Sequence, residues 1–164
     1  MISFEYLNKS DFSAFARQIF DILADNMTAI APTGNSREED FVLWFDAVSD
    51  GLQRPERQMI LIKDNETIVG FFQYYTNADT FMMEEIQFSP EHQCKGLFRK
   101  LYGFILKNIR NDLEFVEAYA SINNQKSIGI LEKFGLLNAG LNKNDHSYHF
   151  KGRFADLIKW YESK

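Results

Sequence analysis

The sequence predicts an α/β protein with a central mixed β-sheet flanked by helices, and three observations carry that prediction. Apolar residues recur at period two in some stretches and at helical period in others; three strand-like runs follow one another in mid-chain; and a single glycine, Gly96, stands where a strand gives way to a strong helix. At 164 residues the chain has room for one compact domain with a real core and little room for two, so one domain over residues 1–164 is expected.

Each element has its own signal. "ISFEYL" at the start alternates as a strand does, and Ser10 with Asp11 then precedes a stripe of Phe12, Phe15, Ile19, Ile22 and Leu23, which marks a helix. After a loop containing Pro32 and Gly34, Ser36 and Glu39 stand at capping-box spacing ahead of Phe41, Trp44, Phe45 and Val48. "RQMILIK", the turn "DNE" and "TIVGFFQYY" read as a β-hairpin, and "DTFMMEEIQF" as a third strand. Leu97, Leu101, Phe104, Ile105 and Ile109 repeat at helical intervals. A strand "LEFVEAYAS", a helix over about 124–134, a hairpin around "NKND" and a short final helix near Trp160 and Tyr161 complete the order. No repeat, low-complexity tract or linker interrupts it.

Composition excludes several classes. With 45% apolar and 25% charged residues the chain is built to fold rather than to remain disordered. One cysteine cannot close an internal disulfide, and three scattered histidines lack metal-ligand spacing, so neither disulfide nor metal is expected. A net charge of −5 argues against a broad nucleic-acid surface. No apolar run approaches the roughly 18 residues that cross a bilayer, and "MISFEYLNKSD" has no signal-peptide character, so a cytoplasmic protein with no membrane partner is expected.

The stretch "HQCKGLFRKLYGFILKNI", residues 92–109, carries the first functional signal. The first turn of a helix presents main-chain amides without partners, and their summed dipoles favour an anion there. Glycine at position 96 leaves room for a phosphate to approach those amides, and Lys95 and Arg99 add positive charge. The loop is neither a G-x-x-x-x-G-K-[ST] nor a G-x-G-x-x-G motif.

A second motif, "NQKSIGILEKFGL" at 124–136, follows the next strand. Strand, Q-x-x-G, helix, strand, then an asparagine-headed helix ending in "EKFGL" together resemble the GNAT superfamily of acyl-coenzyme A N-acyltransferases, over roughly residues 1–150. The resemblance implies a GNAT fold with splayed parallel strands and acetyl-coenzyme A as co-substrate. It further implies that the diphosphate is gripped by the segment Gln93, Cys94, Lys95, Gly96, Leu97, Phe98 and Arg99. Pantetheine would bond like an added strand to the backbone of Ile86, Gln87 and Phe88, and Asn124 and Ser127 would open the later helix on the coenzyme side. Two positions depart from the family pattern: Phe98 replaces a small residue and Leu131 replaces a tyrosine that protonates the leaving thiolate.

Acetyl transfer to an amine by direct attack requires a proton acceptor, because an alkyl ammonium has a pKa of about 10.4. Glu84 and Glu85 are adjacent on the strand feeding the loop, and alternation sends them to opposite faces. Glu84, with Ile86 and Phe88 on its side, is the favoured base over Glu85. Tyr119 on the next strand is the candidate acid in place of Leu131, and Tyr74 with Tyr75 are candidates to line an acceptor site. The acceptor is expected to be a small-molecule or peptide amine, and the resemblance allows a homodimer. The alternative is a non-catalytic acyl-coenzyme A sensor or partner module on the same fold.

Overall fold

The computed structural model describes residues 1–163; the last residue of the expected domain, Lys164, lies outside them. The elements are β1 (Ile2–Tyr6), α1 (Phe12–Met27), α2 (Arg37–Leu52), β2 (Arg57–Asp64), β3 (Thr67–Asn77), β4 (Thr80–Phe88), α3 (Leu97–Asn108), β5 (Phe115–Ser121), α4 (Gln125–Lys133), β6 (Leu137–Leu141), β7 (Ser147–Arg153) and α5 (Phe154–Glu162). Every expected helix and strand is present in the expected order. The strands are hydrogen-bonded in the order β1-β2-β3-β4-β5-β7-β6. Two compact units divide the chain: Met1–Tyr74 with Glu85–Cys94, and Tyr75–Glu84 with the described residues from Lys95 on.

In the first unit β1 pairs antiparallel with β2, from Ile2↔Asp64 to Tyr6↔Ile60. Helices α1 and α2 pack Phe12, Ala16, Ile19, Val48 and Leu52 into a core with Met59, Leu61 and Phe71. The capping box forms as expected: Ser36 N donates to Glu39 Oε1 at 3.0 Å, and Glu39 N donates to Ser36 Oγ at 3.1 Å. The start of α1 differs. Asn8 caps a short 3-10 turn at Lys9–Asp11, and α1 begins at Phe12 with no side-chain cap from Asp11. The helix is fixed there by burial of Phe12 rather than by a local cap.

In the second unit β4 and β5 run parallel in register from Thr80↔Phe115 to Met83↔Ala118. A parallel pair needs a long crossover, which α3 provides. Strand β7 lies antiparallel to β5 from Phe115↔Arg153 to Ser121↔Ser147, and β6 pairs with β7 through a bulge between Asn138 and Leu141. One sheet face is covered by helices. Phe81 meets Phe154 of α5 with ring centroids 6.2 Å apart, and the Tyr102 hydroxyl of α3 donates to Met83 Sδ at 2.9 Å. Burial pushes the Tyr102 phenol far above its ordinary pKa, so it stays protonated. Among the described residues no helix is long and apolar enough to cross a membrane.

Gly70 on β3 is required by close approach: a Cβ there would stand 2.7 Å from the main-chain oxygen of Gln87. Backbone cannot yield as a flexible side chain does, so Gly70→Val is expected to cost about 1–3 kcal/mol, read as a lower denaturation midpoint in urea. An unchanged midpoint would contradict this packing.

Candidate active site

The end of β4 is held from several directions within the first unit. Ser89 N donates to Val69 O at 2.7 Å, so the main-chain groups of Gln87 also face β3, and those of Ile86 and Phe88 face away from it. Asn26, near the end of α1, donates through its side-chain amide to Phe88 O at 2.7 Å and to Gln87 Oε1 at 3.0 Å. Gln93 donates to the same Phe88 oxygen at 3.1 Å and to Asn26 Oδ1 at 3.2 Å. Gln87 Nε2 in turn donates to Glu85 Oε2 at 2.8 Å. Two glutamines expected on the coenzyme side are therefore parts of one network, and its hub, Asn26, was not foreseen. Its separation of 61 residues from Gln87 leaves no local signal.

The turn that follows is tied to the β2–β3 turn. His92 Nδ1 lies 2.8 Å from Ser89 Oγ, and His92 Nε2 lies 3.2 Å from Asp64 Oδ2. The Met1 amino group also donates to Asp64, at 3.0 Å. That amino group first, and His92 second, hold the Asp64 carboxyl below its ordinary range.

Cys94 and Gly96 both adopt left-handed backbone, with φ of 61° and 73°. Cys94 is exposed and not in a disulfide. Gly96 is the residue from which α3 departs, and a Cβ built on it would meet nothing within 4 Å. Open space therefore stands where a side chain would project. Leu97 is buried and anchors the first turn.

Phe98 does not block that turn. Its ring stacks on Tyr102 at 5.3 Å between centroids and meets Phe134 at 5.8 Å, in a cluster completed by Trp160. Each such pair contributes about 0.5–1.5 kcal/mol beyond area burial, which is why the ring turns inward. Arg99 departs from expectation. Its guanidinium donates to Tyr161 O, and to Trp160 O at 3.4 Å, and lies against both rings. The carbonyls at the end of α5 carry partial negative charge and attract it there. Lys95 is exposed at the turn.

Among the acid-base candidates, Glu84 is half-buried and follows directly on the last registered pair, Met83↔Ala118. Tyr119 occupies the equivalent step on β5; it is 43% exposed, not a core residue, and stacks on His149 at 4.5 Å. Leu131 is buried on α4. Asn124 caps α4 by accepting from Ser127 N at 3.2 Å. Tyr74 is buried with its hydroxyl 2.8 Å from that of Tyr6, which makes it a core residue rather than a lining one.

These elements define a class: an α/β chain in which a glycine-initiated helix links two parallel strands and an asparagine-capped helix follows the second. The sequence model of the Acetyltransferase (GNAT) family matches residues 16–136, and the chain belongs to that family, as an acyl-coenzyme A dependent N-acyltransferase. Solved structures agree in fold. An acetyltransferase from Thermus thermophilus superposes with a TM-score of 0.71 at 14% identity, covering 94% of this chain and 97% of that one. The PaiA N-acetyltransferase of Thermoplasma acidophilum, in complex with coenzyme A, gives 0.69 at 13% identity, with 94% and 99% covered. Spermidine N-acetyltransferase from Vibrio cholerae, in complex with coenzyme A and spermine, gives 0.61 at 17% identity, with 96% and 98% covered. No curated protein sequence matches significantly.

The Asp64 ties have a pH signature. A carboxyl whose folded pKa is lowered contributes stability above its unfolded pKa of about 3.9 and loses it as pH falls through the folded value. Asp64→Asn is therefore expected to lower the melting temperature slightly at pH 7 and to match the native chain in strong acid. A difference that persists undiminished below about pH 3 would contradict the assignment.

Proposed function

We propose that the chain moves an acetyl group from acetyl-coenzyme A to a primary amine by direct attack in a ternary complex, and that residues 1–164 work as one acetyltransferase domain. The observation that carries this reading is the open left-handed Gly96 at the head of α3, with the Phe98 ring turned away from it. Main-chain amides from Gln93 to Arg99 hold the diphosphate, with Lys95 supplying side-chain charge. The Arg99 side chain acts instead as a brace on α5. Pantetheine runs along the side of Ile86 and Phe88 that faces away from β3, and Asn124 and Ser127 border the coenzyme from α4.

Glu84, which shares its side of the strand with Ile86 and Phe88, accepts a proton from the amine nitrogen. A main-chain amide near Phe88 stabilises the oxyanion of the tetrahedral adduct. Tyr119, the candidate acid on β5, protonates the departing thiolate. A cationic acceptor of the polyamine kind suits an acidic chain of net charge −5 and is the acceptor of one structural neighbour. A cytoplasmic location fits this chemistry.

A second reading, a non-catalytic acyl-coenzyme A sensor, is favoured by one observation: Leu131 is buried where the family carries its acid. Calorimetry with coenzyme A and thiol release across a panel of primary amines separate the two. The transferase reading expects Glu84→Gln to lower turnover by about a hundredfold with coenzyme A affinity unchanged. Binding without thiol release from any amine would support the sensor. Gly96→Val is expected to weaken coenzyme A binding about tenfold, or 1.4 kcal/mol; undiminished affinity would remove the diphosphate from this turn.

A further inference from the structure

On the sheet face opposite Phe81 and Phe154, the second unit carries beside Tyr119 a side-chain pair, Glu117 with His149, that the proposed chemistry leaves unused. The register Met82↔Glu117 puts Glu117 on the face away from the helices, and alternation puts Tyr119 beside it. His149 on β7 is the direct cross-strand partner of Tyr119. Its Nε2 lies 2.6 Å from Glu117 Oε1, and its ring lies under that of Tyr119 with the planes 16° apart. A carboxylate oxygen accepts, so Nε2 is the ring nitrogen that donates to Glu117, and in that tautomer Nδ1 is the nitrogen able to take up a proton. The imidazole and the carboxylate are 22% and 24% exposed, close enough to solvent to exchange a proton and covered enough to keep one geometry.

Transfer to an ammonium group must remove two protons from nitrogen, one before attack and one as the adduct collapses. The departing sulfur takes up one, and the other must reach water. A single carboxylate at Glu84 handles one proton at a time. Tyr119 and Glu84 each stand one step beyond the pair Met83↔Ala118, at the open end of the parallel ladder. This places the His149 cluster on the strand pair that adjoins Glu84.

Resting on the transferase reading, we propose that His149, oriented by Glu117 and covered by Tyr119, is the acceptor that takes the ammonium proton at Nδ1 and releases it to solvent. The amine lone pair then attacks the thioester carbon. Glu84 takes the second proton as the adduct collapses, the C–S bond breaks, and one proton ends on sulfur. Glu117 is a positioning residue: it holds the tautomer and never touches the substrate. The other titratable groups facing the imidazole are Tyr119 from β5 and Lys151, opposite Glu117 on the same strand; β6 brings none, and α5 packs on the other face.

The experiment compares the native chain with His149→Gln, Glu117→Gln and Glu117→Asp, using acetyl-coenzyme A and the amine of a primary-amine panel, spermidine included, that gives most thiol release. Circular dichroism confirms folding, and calorimetry with coenzyme A reports the other substrate. His149→Gln is expected to lower kcat/KM for the amine about a hundredfold and to abolish the acid limb of its pH profile, with coenzyme A affinity unchanged. Glu117→Gln should shift that limb and Glu117→Asp should restore part of the rate. If His149→Gln keeps both rate and pH profile, the cluster is a cross-strand packing pair and the inference falls while the transferase reading stands. A native chain that releases no thiol with any amine overturns the transferase reading and this inference together. A His149→Gln chain that fails to fold is replaced by Glu117→Gln, whose unaltered pH profile would equally overturn the proposal.

Discussion

Two side-chain amides converge on one main-chain oxygen, that of Phe88, and the arrangement of the end of β4 depends on it. A strand that leaves its partner must satisfy its polar groups elsewhere, because a buried carbonyl without a donor costs about 1–3 kcal/mol. Asn26 and Gln93 meet that requirement from a helix and from the turn after the strand. The same contacts fix the direction in which the chain leaves β4 on its way to the glycine turn. Gln87, itself buried, extends the network to Glu85.

The departure at Phe98 is absorbed by aromatic packing. A large side chain at the second position of a phosphate turn obstructs the ligand only if its ring lies over the amides. Here the ring stacks on Tyr102 and tilts against Phe134, in a cluster that Trp160 completes. The cluster also explains Arg99, which lies against the Trp160 and Tyr161 rings while donating to the last carbonyls of α5. Packing thus turns the Phe98 ring away from the Gly96 turn and leaves Lys95 as the exposed positive side chain there.

The sheet, the helices and the glycine turn were legible because each has a local signal: alternation in β1, runs of branched and aromatic residues in β2 and β3, helical spacing in α1 to α3, a capping box at Ser36, a glycine at position 96. The start of α1 was misplaced by a few residues, since Ser10 and Asp11 resemble a cap but the helix is set by burial of Phe12. What could not be read depends on register and long range. Asn26 reaches Phe88 across sixty-two positions, and no spacing rule anticipates it. Glu117 and His149 become a pair only once β7 is known to lie beside β5 with Tyr119 opposite His149. Arg99 looked like a phosphate ligand because its proximity to Gly96 is visible in sequence, whereas the α5 carbonyls that hold it are not.

Main-chain donors at the Gly96 turn are proposed to grip a thioester carrier. Amide chemical-shift mapping on the 15N-labelled chain tests it most directly. Addition of coenzyme A is predicted to shift the amides from Gln93 to Arg99, with smaller effects at Ile86, Phe88 and Asn124. Saturating coenzyme that leaves the Gln93 to Arg99 amides unmoved, or moves only residues elsewhere, would contradict the account.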